Sequence, residues 1–434
     1  MFRRVLIANR GETALRIIRT LRERGVVSVL AHSDVDSDSL PARQADERVC
    51  IGPAPPQKSY LNATALVSAA LTFRCEALHP GWGFLSESPA LAKLCEENGI
   101  TFIGPRSTTM AHLGDKIAAR ISARKADVPV IPGSHSAVAN ATEARSVARD
   151  IGYPLLLKAA SGGGGRGIRL VESDDGIAHA FAEASAEAVA AFGDSRLYVE
   201  ALLSGMRHVE VQVAGDGHGG AVHLYERDCS LQRRRQKLME EAPAVLVPEG
   251  TRQAIREAAV RLTGSLEYAG VGTIEFLVRG DDFHFMEMNA RLQVEHTVTE
   301  LITGTDLVDA QLVIAAEGRS PWAQEEIIAR GHAVQCRINA EDPVLETPSP
   351  GIVEALAWPG GPGVRVDTAL YPGAEVSVWY DSLVAKIAAL AEDRERARAR
   401  LKRALAETEI RGVATNVSSQ ASRLDEDAFA SASV

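Results

Sequence analysis

The sequence predicts a mixed α/β fold, α+β when all its regions are counted, and three observations carry that reading. Residues 5–8 (VLIA) and 26–32 (VVSVLAH) are apolar strands on either side of an amphipathic helix pattern at 12–24 that stops at Gly25, which makes a βαβ opening on a parallel sheet. Further on, VGTIEFLV and FHFMEMN flank the turn residues 279–282, the mark of a β-hairpin. From 332 the alternation of HAVQCRIN, followed by GIVEAL, GVRVDT and AEVSVWYDSLVAKIAAL, predicts a mostly antiparallel last region closed by a helix over 394–405.

Between these, Ser88 and Pro89 start a helix that Gly99 ends. A helix from about Thr108 carries Asp115 and Lys116, and the prolines of VPVIPGS mark a change of domain. Helices are also expected over 178–192, 251–268 and 305–317.

The composition is that of a globular protein large enough for about three domains. Acidic residues exceed basic ones by 57 to 47, giving a net charge of −10 and no general attraction to nucleic acid or an anionic membrane. Any anion site must be local. The five cysteines lack metal-ligand spacing, so neither a zinc site nor a disulfide framework is expected, and a reducing cytoplasm is the expected compartment. MFRRVLIANR is too short in apolar residues for a signal sequence, and no run reaches membrane-spanning length.

The first turn, NRGE, carries only Gly11, which argues against a dinucleotide-binding fingerprint. YPLLLKAASGGGGRGIRLV reads instead as a hairpin with a glycine-rich tip, 161–167, whose backbone N–H groups close over phosphates as a lid. Lys158 lies inside its apolar strand and needs an anion there. The cluster Arg233, Arg234, Arg235 and Lys237, followed by Glu240 and Glu241, reads as a local oxyanion site or a solvated face.

In the 271–289 hairpin, a loop of about three residues sets Glu275 opposite Glu287. Like charges so placed destabilise a sheet unless a cation lies between them. With the Asn289 carboxamide on the same face, oxygen ligands suit Mg²⁺ or Mn²⁺ holding nucleotide phosphates. If the strand continues, Arg291, Gln293 and Glu295 extend the row. A lid, a buried lysine, paired carboxylates and an anion site together describe ATP-driven activation of an oxyanion.

These motifs carry a resemblance to a known family. Over nearly its whole length the chain resembles the biotin carboxylase component of biotin-dependent carboxylases, within the ATP-grasp superfamily. The matching blocks include IANRGETALRIIRT, HPGWGFLSE, KAASGGGGRG, ERDCSLQRRRQK, FMEMNARLQVEH, CRINAEDP and YDSLVAKI. The resemblance implies a Rossmann-like domain over 1–114, an ATP-grasp domain over 115–318 with a mobile lid at about 131–203, and a C-terminal domain over 331–434. It implies ATP ligands at Lys116, Lys158, Glu200, Leu203, His208, Gln232, Glu275 and Glu287, with Gly162, Gly163, Gly164, Gly165 and Gly167 in the lid. Metal ligands are implied at Glu275, Glu287 and Asn289, for two Mg²⁺ or Mn²⁺ ions.

On the same grounds, Lys237, Arg291, Gln293 and Val294 are expected to hold bicarbonate and Glu295 to act as general base. Arg337 is expected to pair with the biotin enolate, and Trp82 stands on the biotin side where the family usually has tyrosine. The implied reaction makes carboxyphosphate from ATP and bicarbonate, then N-carboxybiotin. No Met-Lys-Met biotinylation motif and no transferase region occur in the sequence. The resemblance therefore implies a separate biotin carboxyl carrier protein and a carboxyltransferase of acyl-CoA type, and a homodimer contacting through the 16–23 helix. Two other readings of the same parts are a carboxylate–amine ligase and a nucleotide-binding subunit without turnover. Phosphate release dependent on bicarbonate and biotin separates them.

Overall fold

The computed structural model describes residues 1–162, 167–426 and 429. Gly163, Gly164 and Gly165, three of the expected lid glycines, lie outside the described residues.

The first unit is a five-stranded sheet in the order Glu47–Gly52, Val27–Ser33, Arg4–Ile7, Ala77–His79, Thr101–Phe102, with every pair parallel. The Gly11–Glu23 helix covers it with Ile17, Ile18 and Leu21, all fully buried. Strand order reverses on either side of Arg4–Ile7, so the chain leaves two neighbouring strands in opposite directions and opens a crevice at their carboxyl ends. Asn9, just past the first strand, donates through Nδ2 to Pro80 O (2.7 Å) and Trp82 O (2.8 Å), fastening the 79–84 loop over that crevice. Gly81 has φ +65°, and a Cβ there would meet Thr13 Cγ2 at 2.6 Å, so the loop can lie this close only with glycine.

A separate three-stranded sheet is ordered Ile168–Val171, Leu155–Ala159, Leu197–Ala201 and is backed by the Ala141–Ile151 and Ile177–Phe192 helices. Lys116 N–H donates to Ala160 O at 2.9 Å, tying its edge to the start of the Lys116–Lys125 helix.

An eight-stranded sheet carries the rest. Its order is Asp282–Asn289, Ala269–Arg279, Arg207–Asp216, Ala221–Asp228, Met239–Ala242, His332–Asn339, Leu383–Ala391, Val364–Thr368. Met239–Ala242 pairs antiparallel with His332–Asn339, so one sheet runs unbroken from the middle of the chain into its C-terminal part.

Several local expectations are corrected. The helix near Thr108 is two: Ser107–Gly114 ends at Asp115, whose carboxylate then caps Lys116–Lys125 by accepting from Ile117 and Ala118 N–H. The hairpin turn is two residues, Gly280 and Asp281, and a bulge at Met286 restores the facing of Glu275 and Glu287. The strand does not continue to Glu295. It ends at Asn289, Ala290 N–H goes to the Glu87 carboxylate instead of a ladder partner, and Glu295 stands at the N-terminal boundary of the His296–Thr303 helix. The 374–390 run is interrupted, with short Glu375–Val376 and long Leu383–Ala391 strands.

Candidate active site

The site is assembled where the Arg207–Asp216, Ala221–Asp228 and Ala269–Arg279 strands turn one polar face toward the Gln236–Lys237 strand and the helix that begins at His296. Glu275 and Glu287 are cross-strand partners, and each meets cationic side chains of the protein. Glu275 Oε1 accepts from Lys237 Nζ (2.9 Å), Asn289 Nδ2 (2.8 Å) and Gln293 Nε2 (3.0 Å), and its Oε2 lies 2.9 Å from His208 Nε2. Glu287 turns to Lys116, 3.2 Å away. Each carboxylate thus has its own counter-cation. Burial alone would raise the Glu275 carboxyl, but Lys237 and His208 outweigh it and hold it well below its usual value.

Glu295 is 2% exposed, and its oxygens divide between Lys237 Nζ (2.7 Å) and Arg337 Nη2 (2.9 Å). Burial pushes its carboxyl up, and Lys237, Arg337 and Arg227 together pull it well below the ordinary carboxylate range. Burial likewise opposes the Lys237 charge, yet Glu210, Glu275 and Glu295 keep the ammonium protonated far above its usual limit. Arg337 Nε donates to Glu240 Oε1 at 2.7 Å, so this guanidinium bridges Glu240 and Glu295. The Arg291 side chain spans Glu87 (2.8 Å) and Asn289 Oδ1 (3.0 Å). Val294 is buried beside them in sequence.

On the three-stranded sheet, Lys158 does meet an anion, but an internal one: Glu200 Oε2 at 2.5 Å, while Arg120 holds the other oxygen. The Glu200 carboxylate is therefore committed to these two cations, its residue pairs with Leu156 across the sheet, and Leu203 is half-buried just past the strand end. Gln232 Nε2 hydrogen-bonds His208 Nδ1 at 2.7 Å and orients the ring toward Glu275. Burial disfavours the imidazolium, but Glu275 raises the His208 pKa above its ordinary value. Trp82 Nε1 donates to Glu12 Oε1 at 3.2 Å, and Glu12 also meets Lys386 at 3.0 Å.

Residue patterns missed four members. Glu210 lies fully buried between Arg227 Nε, 2.6 Å away, and Lys237. Arg227 is wholly buried and also donates to Gln212, Thr299, Thr273 and Gln293. Glu240 and Glu241 are buried partners of Arg337 and of His332 with Arg394, and the sequence reading had noted them only as following the basic cluster. The signal was present in HVEVQV and LYERD, where charges interrupt apolar strands as Lys158 does. Of the basic cluster only Lys237 enters the site. Arg233 pairs with Glu341, and Arg234 and Arg235 are exposed because the strand alternation breaks at the hairpin tip.

Among the described residues, the side chains close enough to share an ion are His208, Glu210 and Glu275, and Glu210, Cys229 and Glu295. The expected trio of Glu275, Glu287 and Asn289 supplies hard oxygen donors on adjacent strands, chemistry that fits Mg²⁺ or Mn²⁺.

The class follows first. The family model described as carbamoyl-phosphate synthase L chain, ATP binding domain, matches residues 115–320, which makes this an ATP-grasp ligase. The models for the biotin carboxylase N-terminal and C-terminal domains match residues 1–110 and 335–434. The chain is 47% identical to biotin carboxylase of Allochromatium vinosum over 99% of this chain and 96% of that protein. It is 44% identical to biotin carboxylase 1 of Bacillus subtilis over the same shares, 99% and 96%. The solved biotin carboxylase–β-γ-ATP complex of Campylobacter jejuni superposes with a TM-score of 0.96 at 43% identity, covering 100% of this chain and 97% of that one. A biotin carboxylase domain dimer of Hydrogenobacter thermophilus 2-oxoglutarate carboxylase, solved with MgADP, ADP and bicarbonate, gives 0.93 at 42% identity over 99% and 95%. The chain belongs to the biotin carboxylase family.

Proposed function

We propose that this chain uses ATP and bicarbonate to carboxylate biotin through carboxyphosphate, and that Glu295 is the base. The observation that carries the assignment is Glu295 held between Lys237 and Arg337. A carboxylate pulled so far down is a poor base. Bicarbonate entering beside Lys237, Arg291, Gln293 and Val294 competes for the same cations. As Lys237 and Arg337 turn to the new anion, Glu295 keeps its burial and loses its counter-charges, so its proton affinity rises when a proton must be taken.

The deprotonated bicarbonate then attacks the γ-phosphate of ATP, which Lys116, Lys158, His208, Gln232 and the lid glycines hold. Glu275, Glu287 and Asn289 would hold Mg²⁺ or Mn²⁺, which supplies charge neutralisation on the phosphate oxygens. Carboxyphosphate then breaks into CO₂ and phosphate, the phosphate takes the ureido N–H proton of biotin, and the resulting enolate, its charge stabilised by Arg337 released from Glu295 with Glu240 fixing the guanidinium plane, attacks CO₂ to give N-carboxybiotin. The lid excludes water that would hydrolyse carboxyphosphate.

We read 1–114, 115–318 and 331–434 as the domains, with 131–203 as the moving lid. Biotin comes on a separate carrier protein, and the carboxyl group passes to an acyl-CoA on a separate transferase. The chain works as a homodimer in the cytoplasm. All five cysteines are free, as a reducing compartment keeps them, and no helix among the described residues is long and apolar enough to cross a membrane. Arg16, the first residue of the expected dimer helix face, is already paired with Glu300 (2.9 Å) and Asp306 (2.8 Å), which leaves exposed Arg19, Arg22 and Glu23 for that contact.

The test is phosphate release from MgATP with free biotin, with and without bicarbonate, on the wild type and on Glu295→Gln. Release that needs bicarbonate, rises with biotin and collapses in the variant supports the assignment. ATP binding with no response to bicarbonate or biotin returns the chain to the other ligase reading or to a subunit without turnover.

A further inference from the structure

Lys237 and Arg337, the two cations that share Glu295, stand on segments far apart in the chain. Lys237 ends the short Gln236–Lys237 strand, and Arg337 lies within His332–Asn339. Met239–Ala242 pairs antiparallel with His332–Asn339, and Met239 faces Cys336. One residue further, this register sets Leu238 opposite Arg337. Residues so placed at a bonded rung of an antiparallel ladder exchange two backbone hydrogen bonds. Here only one is made: Arg337 N–H donates to Leu238 O at 3.2 Å, while Leu238 N–H turns away to Leu231 O at 3.0 Å. The Arg337 carbonyl is left without the return bond of its rung.

Side chains from the Val417–Arg423 helix and its boundary take that carbonyl up. Gln420, 1% exposed, donates through Nε2 to Arg337 O at 2.9 Å and to Leu238 O at 3.4 Å. Asn416, at the start of the helix, donates through Nδ2 to Arg337 O at 3.2 Å, and its Oδ1 accepts Asn339 N–H at 2.9 Å. A carbonyl oxygen only accepts, so the Gln420 amide can meet two of them only through its NH₂. One side chain thereby joins both strands at the rung that the backbone leaves half-made. The helix also has a seat of its own. Leu424, just past its end, is fully buried, and Arg398 Nη1 donates to Leu424 O at 3.0 Å.

We propose that Gln420, backed by Asn416, is a positioning residue, which sets the spacing of Lys237 and Arg337 by holding the backbone of Arg337 and of the residue after Lys237. The inference rests on the biotin-carboxylating reading above. Lys237 Nζ and Arg337 Nη2 both reach Glu295, at 2.7 and 2.9 Å, so the register at this rung decides where the two cations stand relative to each other. In that reading carboxyphosphate forms beside Lys237, and its CO₂ and phosphate are used beside Arg337. A small widening leaves ATP cleavage possible and spoils the hand-over, because a misplacement of about 1 Å costs up to about a hundredfold in rate. CO₂ and phosphate then escape to solvent before biotin takes them up.

The experiment compares the full-length wild type with Gln420→Met, which keeps the length of the side chain and removes its donor. Asn416→Asp is a second probe, which keeps the acceptor for Asn339 N–H and removes the donor to Arg337 O. Leu424→Ala loosens the same helix without removing a bond at the rung. For each protein, phosphate release from MgATP and N-carboxybiotin formed from labelled bicarbonate and free biotin are measured together, along with KM for ATP and Tm. The expected result for Gln420→Met is a rate of N-carboxybiotin formation lower by about ten- to a hundredfold, with KM for ATP within about twofold. Phosphate released per N-carboxybiotin should rise at least about threefold. Asn416→Asp should raise that ratio by less, and Leu424→Ala should lower Tm with the ratio at its wild-type value.

An unchanged ratio in Gln420→Met overturns the proposal even where the rates fall, and leaves Gln420 a structural residue of the helix. If Gln420→Met does not fold, the ratio in Asn416→Asp decides in the same way. An equal rise in Leu424→Ala overturns it too, because the ratio then follows the seating of the helix and not the amide. A wild type that forms no N-carboxybiotin fails the functional reading and takes this inference with it, whereas a working wild type with the ratio unmoved in the variants fails this inference alone.

Discussion

Glu295 and Arg337 show how far a residue's chemistry depends on what its neighbours have already taken. Glu240 holds the Nε side of Arg337 and Glu295 the Nη2 side, so Glu240→Gln weakens the bond that fixes the guanidinium. Hydrogen bonds to charged groups contribute roughly 1.5–3 kcal/mol. The expected outcome is a fall in kcat of about ten- to a hundredfold with the KM for ATP unchanged, checked by steady-state phosphate release. The pH behaviour follows from Glu275 and Glu295, whose folded pKa values lie below the unfolded value of about 4.3. As pH falls the unfolded chain binds protons first, so their stabilisation is complete above about pH 5 and is lost progressively below it. Thermal melts from about pH 7 to about pH 4 should show a smaller decline in Tm for Glu295→Gln than for the wild type.

At the scale of an element, the hairpin of Leu155–Ala159 and Ile168–Val171 depends on how its ends are held. Gly162 has φ +94°, and a Cβ there would lie 2.3 Å from the Phe192 ring. Both backbone strain and collision oppose any side chain, strain alone costing about 1–3 kcal/mol. Gly162→Val should raise the KM for ATP severalfold and speed amide exchange in Leu155–Ala159 and Leu197–Ala201, while exchange in the N-terminal parallel sheet stays unchanged. Hydrogen-exchange mass spectrometry reads both. The glycine-rich hairpin was legible because turn chemistry and apolar runs are local. The end of the strand at Asn289 was not, since Ala290 is drawn away by Glu87, about two hundred residues earlier in the chain.

Across the whole molecule, a buried charge network joins the N-terminal and C-terminal parts behind the site. Lys386, 1% exposed on the Leu383–Ala391 strand, meets Glu12 at 3.0 Å and Asp367 at 3.7 Å, and Glu12 accepts from the Trp82 indole. Arg365 joins Asp367 (2.8 Å) to Glu300 (2.7 Å), which Arg16 also holds. Removing one member of a buried pair costs about 3–5 kcal/mol because the other charge is left unpaired. Lys386→Met should lower the urea midpoint accordingly, and adding Glu12→Gln should recover part of the loss, a coupling that a double-mutant cycle measures.

The order of elements and the pairing of Leu155–Ala159 with Ile168–Val171 were legible in the sequence alone, because each rests on residues near one another in the chain, whereas the facing of Glu275 and Glu287 depends on a two-residue turn and a bulge at Met286 that turn chemistry did not show. Which charge pairs with which was decided only by the tertiary structure. Lys158 finds Glu200, Lys237 finds Glu210 and Glu295, and Trp82 finds Glu12, across separations of 42, 27, 58 and 70 residues. Local pattern shows that a buried charge needs a partner, but the low-dielectric interior lets any opposite charge that the fold brings near serve, and only the packing of strands and helices selects one.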